Sequence, residues 1–284
     1  MTRTNQRAKV AFQGELGAFS QQAIRQFLGS RAQPWPRQRF DEVFTALAAG
    51  EVAAAAVPIE NTLAGSVHEN YDLLLKHDFE ITAETSVRIV HNLIAPPGVA
   101  FRRVRKAYSH PVALNQCLDF FERHAEIERA PFYDTAGSVK MVMEQRPEGA
   151  AAIASELAAK IYGGRILKRE IESDRQNFTR FFLLEPRGAA PRGGRGAARK
   201  PWKTSLVFST RNVAGALFRA LSALALRDLN LIKIESRPLR GKPWEYLFYL
   251  DLVGHRDEPN VRNALGHLAE LADFLRVLGS YRAV

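Results

Sequence analysis

The sequence predicts an α/β chain built in two parts, and three observations carry that reading. Short apolar strands alternate with amphipathic helices through residue 186, a basic Gly/Pro/Arg stretch interrupts the pattern at 187–202, and residues 203–284 follow a different order, βαββαβ. Strands alternating with helices of this length give an open α/β architecture with largely parallel strands. The βαββαβ order gives a small α+β domain of ferredoxin-like type, an antiparallel sheet covered on one face by two helices.

The elements follow in order. Val10-Ala11-Phe12 is a strand, Gly14 to Gly17 a turn, and 18–28 a helix with Ala23, Ile24, Phe27 and Leu28 at helical spacing. Helix 41–49 precedes strand 53–57, and helix 66–76 precedes one long strand, 81–94. Strand 107–108 leads into helix 111–121, strand 127–132 into helix 135–144, and strand 151–154 into helix 156–162, closed by Gly163-Gly164. The second part reads as strand 205–209, helix 215–227, strands 231–236 and 246–252, helix 261–271 and strand 274–279.

Small polar residues mark the strand-to-helix junctions: Ser20, Asn61, Ser66, Ser109-His110, Thr135 and Ser155. Each alone reads as a helix cap. Together they describe a cleft of helix N-termini at the carboxyl ends of strands, where unpaired N–H groups suit a small anion without a lysine cluster.

The 284 residues carry a formal net charge of +10, but six of those charges, Arg187, Arg192, Arg195, Arg199, Lys200 and Lys203, fall in 187–203, which has no acid. That stretch holds four glycines and two prolines and reads as a linker. The remainder lacks a basic stripe with interleaved aromatics, so nucleic-acid binding is not expected. No run approaches the roughly 20 apolar residues of a membrane helix, no signal-peptide core forms, and the single cysteine, Cys117, precludes an internal disulfide. The expectation is a cytoplasmic enzyme with no membrane association, no metal and no cofactor, since the seven histidines show no ligand spacing.

Six motifs then fall in one order: Gln13-Gly14-Glu15-Leu16-Gly17-Ala18-Phe19-Ser20, Pro58-Ile59-Glu60-Asn61-Thr62 with Gly65-Ser66, Tyr108-Ser109-His110-Pro111 with Gln116-Cys117, Asp134-Thr135-Ala136-Gly137, Ala151-Ala152-Ile153-Ala154-Ser155, and Asn177-Phe178-Thr179-Arg180-Phe181-Phe182. As an ordered set spanning residues 9–184 they resemble the prephenate dehydratases. Gly215-Ala216-Leu217 and Glu235-Ser236-Arg237-Pro238 resemble the phenylalanine-sensing motifs of an ACT regulatory domain.

The resemblance implies a two-lobed catalytic domain like type II periplasmic binding proteins over 1–186, with lobe one at about 1–86 and 175–186 and lobe two at about 87–174. The linker at 187–202 and a ferredoxin-like ACT domain at 203–284 follow. It implies loss of water and carbon dioxide from prephenate to give phenylpyruvate, with Thr179 as the catalytic donor to the departing 4-hydroxyl. A threonine hydroxyl is a poor acid, so its contribution is a hydrogen bond that strengthens as that oxygen gains charge. Motif matching assigns substrate contacts to Asn61, Ser66, Ser109, Gln116, Thr135, Arg180 and Phe181. It assigns an intersubunit L-phenylalanine site to Asn212, Gly215, Ala216, Leu217, Glu235, Ser236, Arg237 and Pro238, hence feedback inhibition in a homodimer or homotetramer.

Strand alternation puts Asn177, Thr179 and Phe181 on one face and Arg180 on the other. For Arg180 to face substrate as well, the backbone around Thr179 must bend. Glu60 and Asp134 are expected to organise backbone or the lobe interface, because more negative charge harms a dianion cleft. Cys117 is expected to be a buried apolar residue rather than a nucleophile paired with His110. The family often has glutamine directly after Ser-His-Pro, where this chain has Val112. Two further readings stand beside the first: an arogenate dehydratase, and a non-catalytic amino-acid sensor.

Overall fold

The computed structural model describes residues 8–192, 200–239, 241–242 and 244–284, and the chain divides into two compact units. One holds residues through His77 with Thr85–Phe182; the other holds Asp78–Glu84 with Leu183–Val284.

The chain opens with β1 (Ala8–Gln13), α1 (Phe19–Leu28), β2 (Ala32–Arg37), α2 (Phe40–Ala48), β3 (Ala54–Asn61), β4 (Gly65–Ser66), α3 (His68–Lys76) and β5 (Phe79–Arg88). It continues through β6 (Asn92–Ala95), β7 (Lys106–Ser109), α4 (Pro111–Asn115), α5 (Leu118–Arg123), β8 (Glu128–Pro131), α6 (Thr135–Gln145), β9 (Ala150–Ala154), α7 (Glu156–Tyr162) and β10 (Arg165–Lys168). β11 (Phe178–Pro186) then rejoins the first sheet, whose order is β2-β1-β3-β11-β5 with β4 paired to β3; the second sheet runs β10-β6-β9-β7-β8. The two-lobed, discontinuous plan is therefore present, one lobe being left after β5 and re-entered at β11.

Sequence character explains the pairing. Val10, Ala11 and Phe12 of β1, Ala55, Ala56 and Val57 of β3, and all of β9 are buried, the continuous apolar runs of strands covered on both faces. Each large side chain so buried contributes about 1.5–3 kcal/mol. β1 is parallel to β2 and β3, and β7 to β8 and β9, as expected. β6 departs from this, running antiparallel to β9 and β10.

Several elements differ from expectation, β4 and β10 among them. β2 was unforeseen because Pro34 and Pro36 lower its strand signal; it is an edge strand, where a missing N–H does least harm. The single strand expected at 81–94 is two, β5 and β6, with Ile89, Val90 and His91 crossing between lobes. The helix expected at 111–121 breaks at Gln116 and Cys117 into α4 and α5.

The second unit adds β12 (Trp202–Ser209), α8 (Ala216–Ala225), β13 (Leu231–Pro238), β14 (Tyr246–Val253), α9 (Pro259–Leu271) and β15 (Phe274–Arg282). Its sheet order is β13-β14-β12-β15, antiparallel throughout, and Leu206, Phe208, Leu250 and Leu252 pack with Ala220, Leu224, Val261 and Leu268 of the two helices. This is the ferredoxin-like βαββαβ domain. The same unit contains the buried carboxylates Glu80, Glu84 and Glu185 at the ends of β5 and β11. Each meets cations: Lys203 Nζ lies 2.5 Å from Glu84, Arg192 2.6 Å from Glu185, and Arg187, at 3.3 Å, together with Arg256 on Glu80. Burying a carboxylate without such a partner costs several kcal/mol. Arg187 and Arg192 belong to the stretch read as a linker, so part of its basic character is electrostatic compensation; residues 193–199 lie outside the described residues.

Candidate active site

A cavity of about 450 Å³ in the first unit is lined from both sheets by the expected Asn61, Ser66, Gln116, Thr135 and Thr179, together with Ser20, His91, His110, Val112, Tyr133 and Asp134 among others. Four helix N-termini reach it, through Phe19 and Ser20 of α1, Ser66 and Val67 before α3, His110 and Val112 at α4, and Asp134 and Thr135 at α6. The capping pattern separates them. Asp134 caps α6 by accepting from Gly137 N at 2.6 Å, and His110 Nδ1 accepts from Val112 N at 3.2 Å, whereas α1 and α3 have no side-chain cap. An uncapped helix start presents backbone N–H groups to an anion, and at this cavity Phe19 and Ser20 of α1 do so.

The polar centre is a directed hydrogen-bond chain. Leu63 N and Ala64 N donate to Asn61 Oδ1 at 3.0 and 2.8 Å, which fixes the orientation of that amide. Asn61 Nδ2 therefore donates, to Asn177 Oδ1 at 2.7 Å and to Thr179 Oγ1 at 2.9 Å. A hydroxyl has one proton and two lone pairs. Since Thr179 Oγ1 accepts from Asn61, its proton is available to a group in the cavity.

Gln116 Nε2 reaches Asn61 Oδ1 at 3.4 Å, and its Oε1 lies 2.9 Å from His91 Nε2. His91 is 1% exposed, and burial lowers its basicity below that of an ordinary imidazole. Burial raises Asp134 above the ordinary aspartate range against the opposing effect of N–H groups from Gly137, Glu15 and Ala136. Glu15 lies on the first lobe, so Asp134 caps a helix and ties the lobes together, the organising role expected of it. Gly17 is wedged at the same interface: Ser155 Oγ donates to its carbonyl at 2.7 Å, and a Cβ there would lie 2.6 Å from Ala158 Cα.

Three expected substrate contacts are elsewhere. Arg180 pairs with Glu60 at 3.1 Å and lies over the Phe182 ring, on the strand face opposite Thr179. β11 runs unbroken through Thr179, so the expected bend is absent and Arg180 does not line the cavity. Phe181 is core, packed with Ala23, Val87 and Ile89. Ser109 is fully buried and donates to Ile153 O at 2.6 Å across the second sheet, which leaves the hydroxyl no proton for substrate. Cys117 is the buried apolar residue expected, in a cluster with Leu114, Phe120 and Ile153, and burial raises its thiol. His91 was missed, although a histidine interrupting the apolar run Arg88-Ile89-Val90-His91-Asn92-Leu93 was the available signal.

The model of prephenate dehydratase matches residues 10–189, and that of the ACT domain matches 204–269. The chain belongs to the prephenate dehydratase family. It is 42% identical to Arabidopsis thaliana "Arogenate dehydratase/prephenate dehydratase 2, chloroplastic", over 97% of this chain and 73% of that one. A solved prephenate dehydratase in complex with L-Phe from Arthrobacter aurescens is 32% identical, with TM-score 0.87, covering 97% of this chain and 90% of that one. A second solved structure, described as GqqA, a novel type of quorum quenching acylases, is 33% identical with TM-score 0.88, covering 97% and 98%. The family is one of lyases that dehydrate and decarboxylate, so the cavity is read as a dehydratase cleft.

The residues expected to sense phenylalanine lie in the ACT domain. Gly215 takes φ 75° at the start of α8, followed by Ala216 and Leu217, and Glu235 to Pro238 close the edge strand β13. Ser209 and Arg237 both pair with Leu247, so Asn212 and the turn to Leu217 leave the sheet at the same end as the 235–238 corner.

Proposed function

We propose that this dehydratase converts prephenate to phenylpyruvate with Thr179 as the hydrogen-bond donor to the leaving hydroxyl. One observation carries the reading: Asn61 Nδ2 donates to Thr179 Oγ1, which directs the threonine proton into the cleft. In the reaction the carbon–carbon bond to the ring carboxylate breaks, its electron pair enters the aromatising ring, and the carbon–oxygen bond releases hydroxide. Charge grows on that oxygen, and a preoriented donor there stabilises the transition state more than the ground state. The uncapped N-terminus of α1 suits a carboxylate of the substrate.

Prephenate rather than arogenate is favoured by what lines the cavity. Asp134 is the one acidic residue among the described lining residues, and its carboxylate is already engaged by backbone N–H groups. Arogenate's ammonium would meet no free carboxylate there. The likeness to a plant arogenate/prephenate dehydratase supports arogenate as the second reading. Turnover of both compounds by one sample discriminates them: a higher kcat/KM for prephenate is expected, and a higher value for arogenate overturns the preference. An acylase reading fits less well, because Thr179 has an amide donor beside it and no base.

L-Phenylalanine is assigned to the ACT domain as a feedback inhibitor, bound between copies at the 212–217 turn and the 235–238 corner. The L-Phe complex of the Arthrobacter relative supports this. A homodimer or homotetramer follows from an intersubunit site. Light scattering, and activity measured with and without phenylalanine, test both parts.

A further inference from the structure

We infer that His91 is a positioning residue for Thr179, acting through Gln116 and Asn61 by donating its Nε2–H to Gln116; this rests on the dehydratase reading above. The direction of every link follows from backbone groups that cannot be reversed. Leu63 N and Ala64 N are donors, so Asn61 Oδ1 is an acceptor and the group of Gln116 facing it is Nε2. Gln116 then turns Oε1 toward His91, and an amide oxygen only accepts, so His91 Nε2 carries the proton. Asn61 in turn presents Nδ2 to Thr179.

His91 is held through both its backbone and its ring. His91 N donates to Glu172 Oε2 at 3.0 Å, Ile171 N donates to His91 O at 2.9 Å, and the imidazole meets Phe19 edge-on at 5.7 Å between centroids. Its other nitrogen, Nδ1, is buried without a hydrogen-bond partner. A residue kept only for packing has no need of that orphaned nitrogen, and an apolar side chain would fill the space without it. Histidine is retained for the single rigid donor it offers Gln116. Without that donor the Gln116 amide can invert and present Oε1 to Asn61 Oδ1, and the amide that orients Thr179 loses a partner. Burial supports the assignment by lowering the basicity of the ring. Thr179 is the donor to substrate; His91 acts only through the chain.

Two measurements test this. Nitrogen NMR of His91 in the intact wild-type protein at neutral pH is expected to show Nε2 protonated and Nδ1 bare; the opposite tautomer overturns the proposal whether or not the enzyme is active. Kinetically, His91→Leu is expected to lower kcat about tenfold with KM changed less than about twofold, and His91→Gln, which restores an N–H donor, to recover most of the loss. In combination with Gln116→Leu, the two losses are expected not to add, because they break one chain. Wild-type kcat in His91→Leu, or additive losses in the double variant, also overturns it. Failure of the wild type to turn over either prephenate or arogenate removes the reading of the reaction and leaves the tautomer to decide the chain.

Discussion

Asn61 Nδ2 donates to Thr179 Oγ1 at 2.9 Å, joining the exit of β3 to the start of β11. The bond makes the threonine an acceptor toward the protein and therefore a donor toward substrate. Reversing its polarity should abolish that. In Asn61→Asp the carboxylate can only accept, so the Thr179 proton turns toward it, and a negative charge is added to a dianion cleft. A loss of kcat of about a hundredfold or more is expected by steady-state kinetics. Near-normal kcat would show that the Thr179 proton is not needed by substrate.

Asp134 sets a pH-dependent term in stability. Burial raises its folded pKa, so in the folded chain it holds a proton at pH values where the unfolded chain has released it. Stability from this group is fully present below the ordinary aspartate range and falls as pH rises through the raised folded value. Asn caps helices as well as Asp, so Asp134→Asn should remove this slope while keeping α6 intact. Asp134→Ala loses the cap as well, by about 1 kcal/mol. Urea unfolding across pH measures both, and an unchanged slope in Asp134→Asn would assign the effect to another group.

Gly17 should tolerate no side chain. Its φ of 95° is strained for any other residue, and a Cβ would lie 2.6 Å from Ala158 Cα on the other lobe. Gly17→Ala is expected to destabilise by about 1–3 kcal/mol in denaturant unfolding.

The buried pair Lys203–Glu84 gives a third stability test. Side-chain exposure is 10% and 1%, so removing one charge leaves the other buried without its ion-pair counterpart. Lys203→Met alone should cost about 3–5 kcal/mol, and the double variant Lys203→Met with Glu84→Leu less than the single one. A double variant weaker than the single would contradict this account of the pair.

What was legible in the sequence was what hydrophobic period and motif order encode. The βαβ units and the ferredoxin-like domain follow from hydrophobic period, Asn61, Ser66 and Thr135 from polar residues at strand-to-helix junctions, and Gln116 and Thr179 from the motif resemblance. What was not legible depended on where individual hydrogen bonds go. Ser109 and Thr179 are both hydroxyls near a strand terminus, but Ser109 spends its proton on Ile153 O, and no local pattern announces that. Period-two alternation placed Arg180 opposite Thr179 correctly; the motif's proximity argued for both facing substrate, and Glu60 on the neighbouring strand decided otherwise. His91 was hidden because an apolar run reads as one strand, while the chain there passes between two sheets.

Thr179→Ala against wild type and Thr179→Ser, assayed for phenylpyruvate formation from prephenate in folded protein, tests the central claim most directly. The account expects Thr179→Ala to lose about 10²–10³ in kcat and Thr179→Ser to keep most of it, because serine retains the hydroxyl between Asn61 and the leaving oxygen. Undiminished turnover by Thr179→Ala would contradict it.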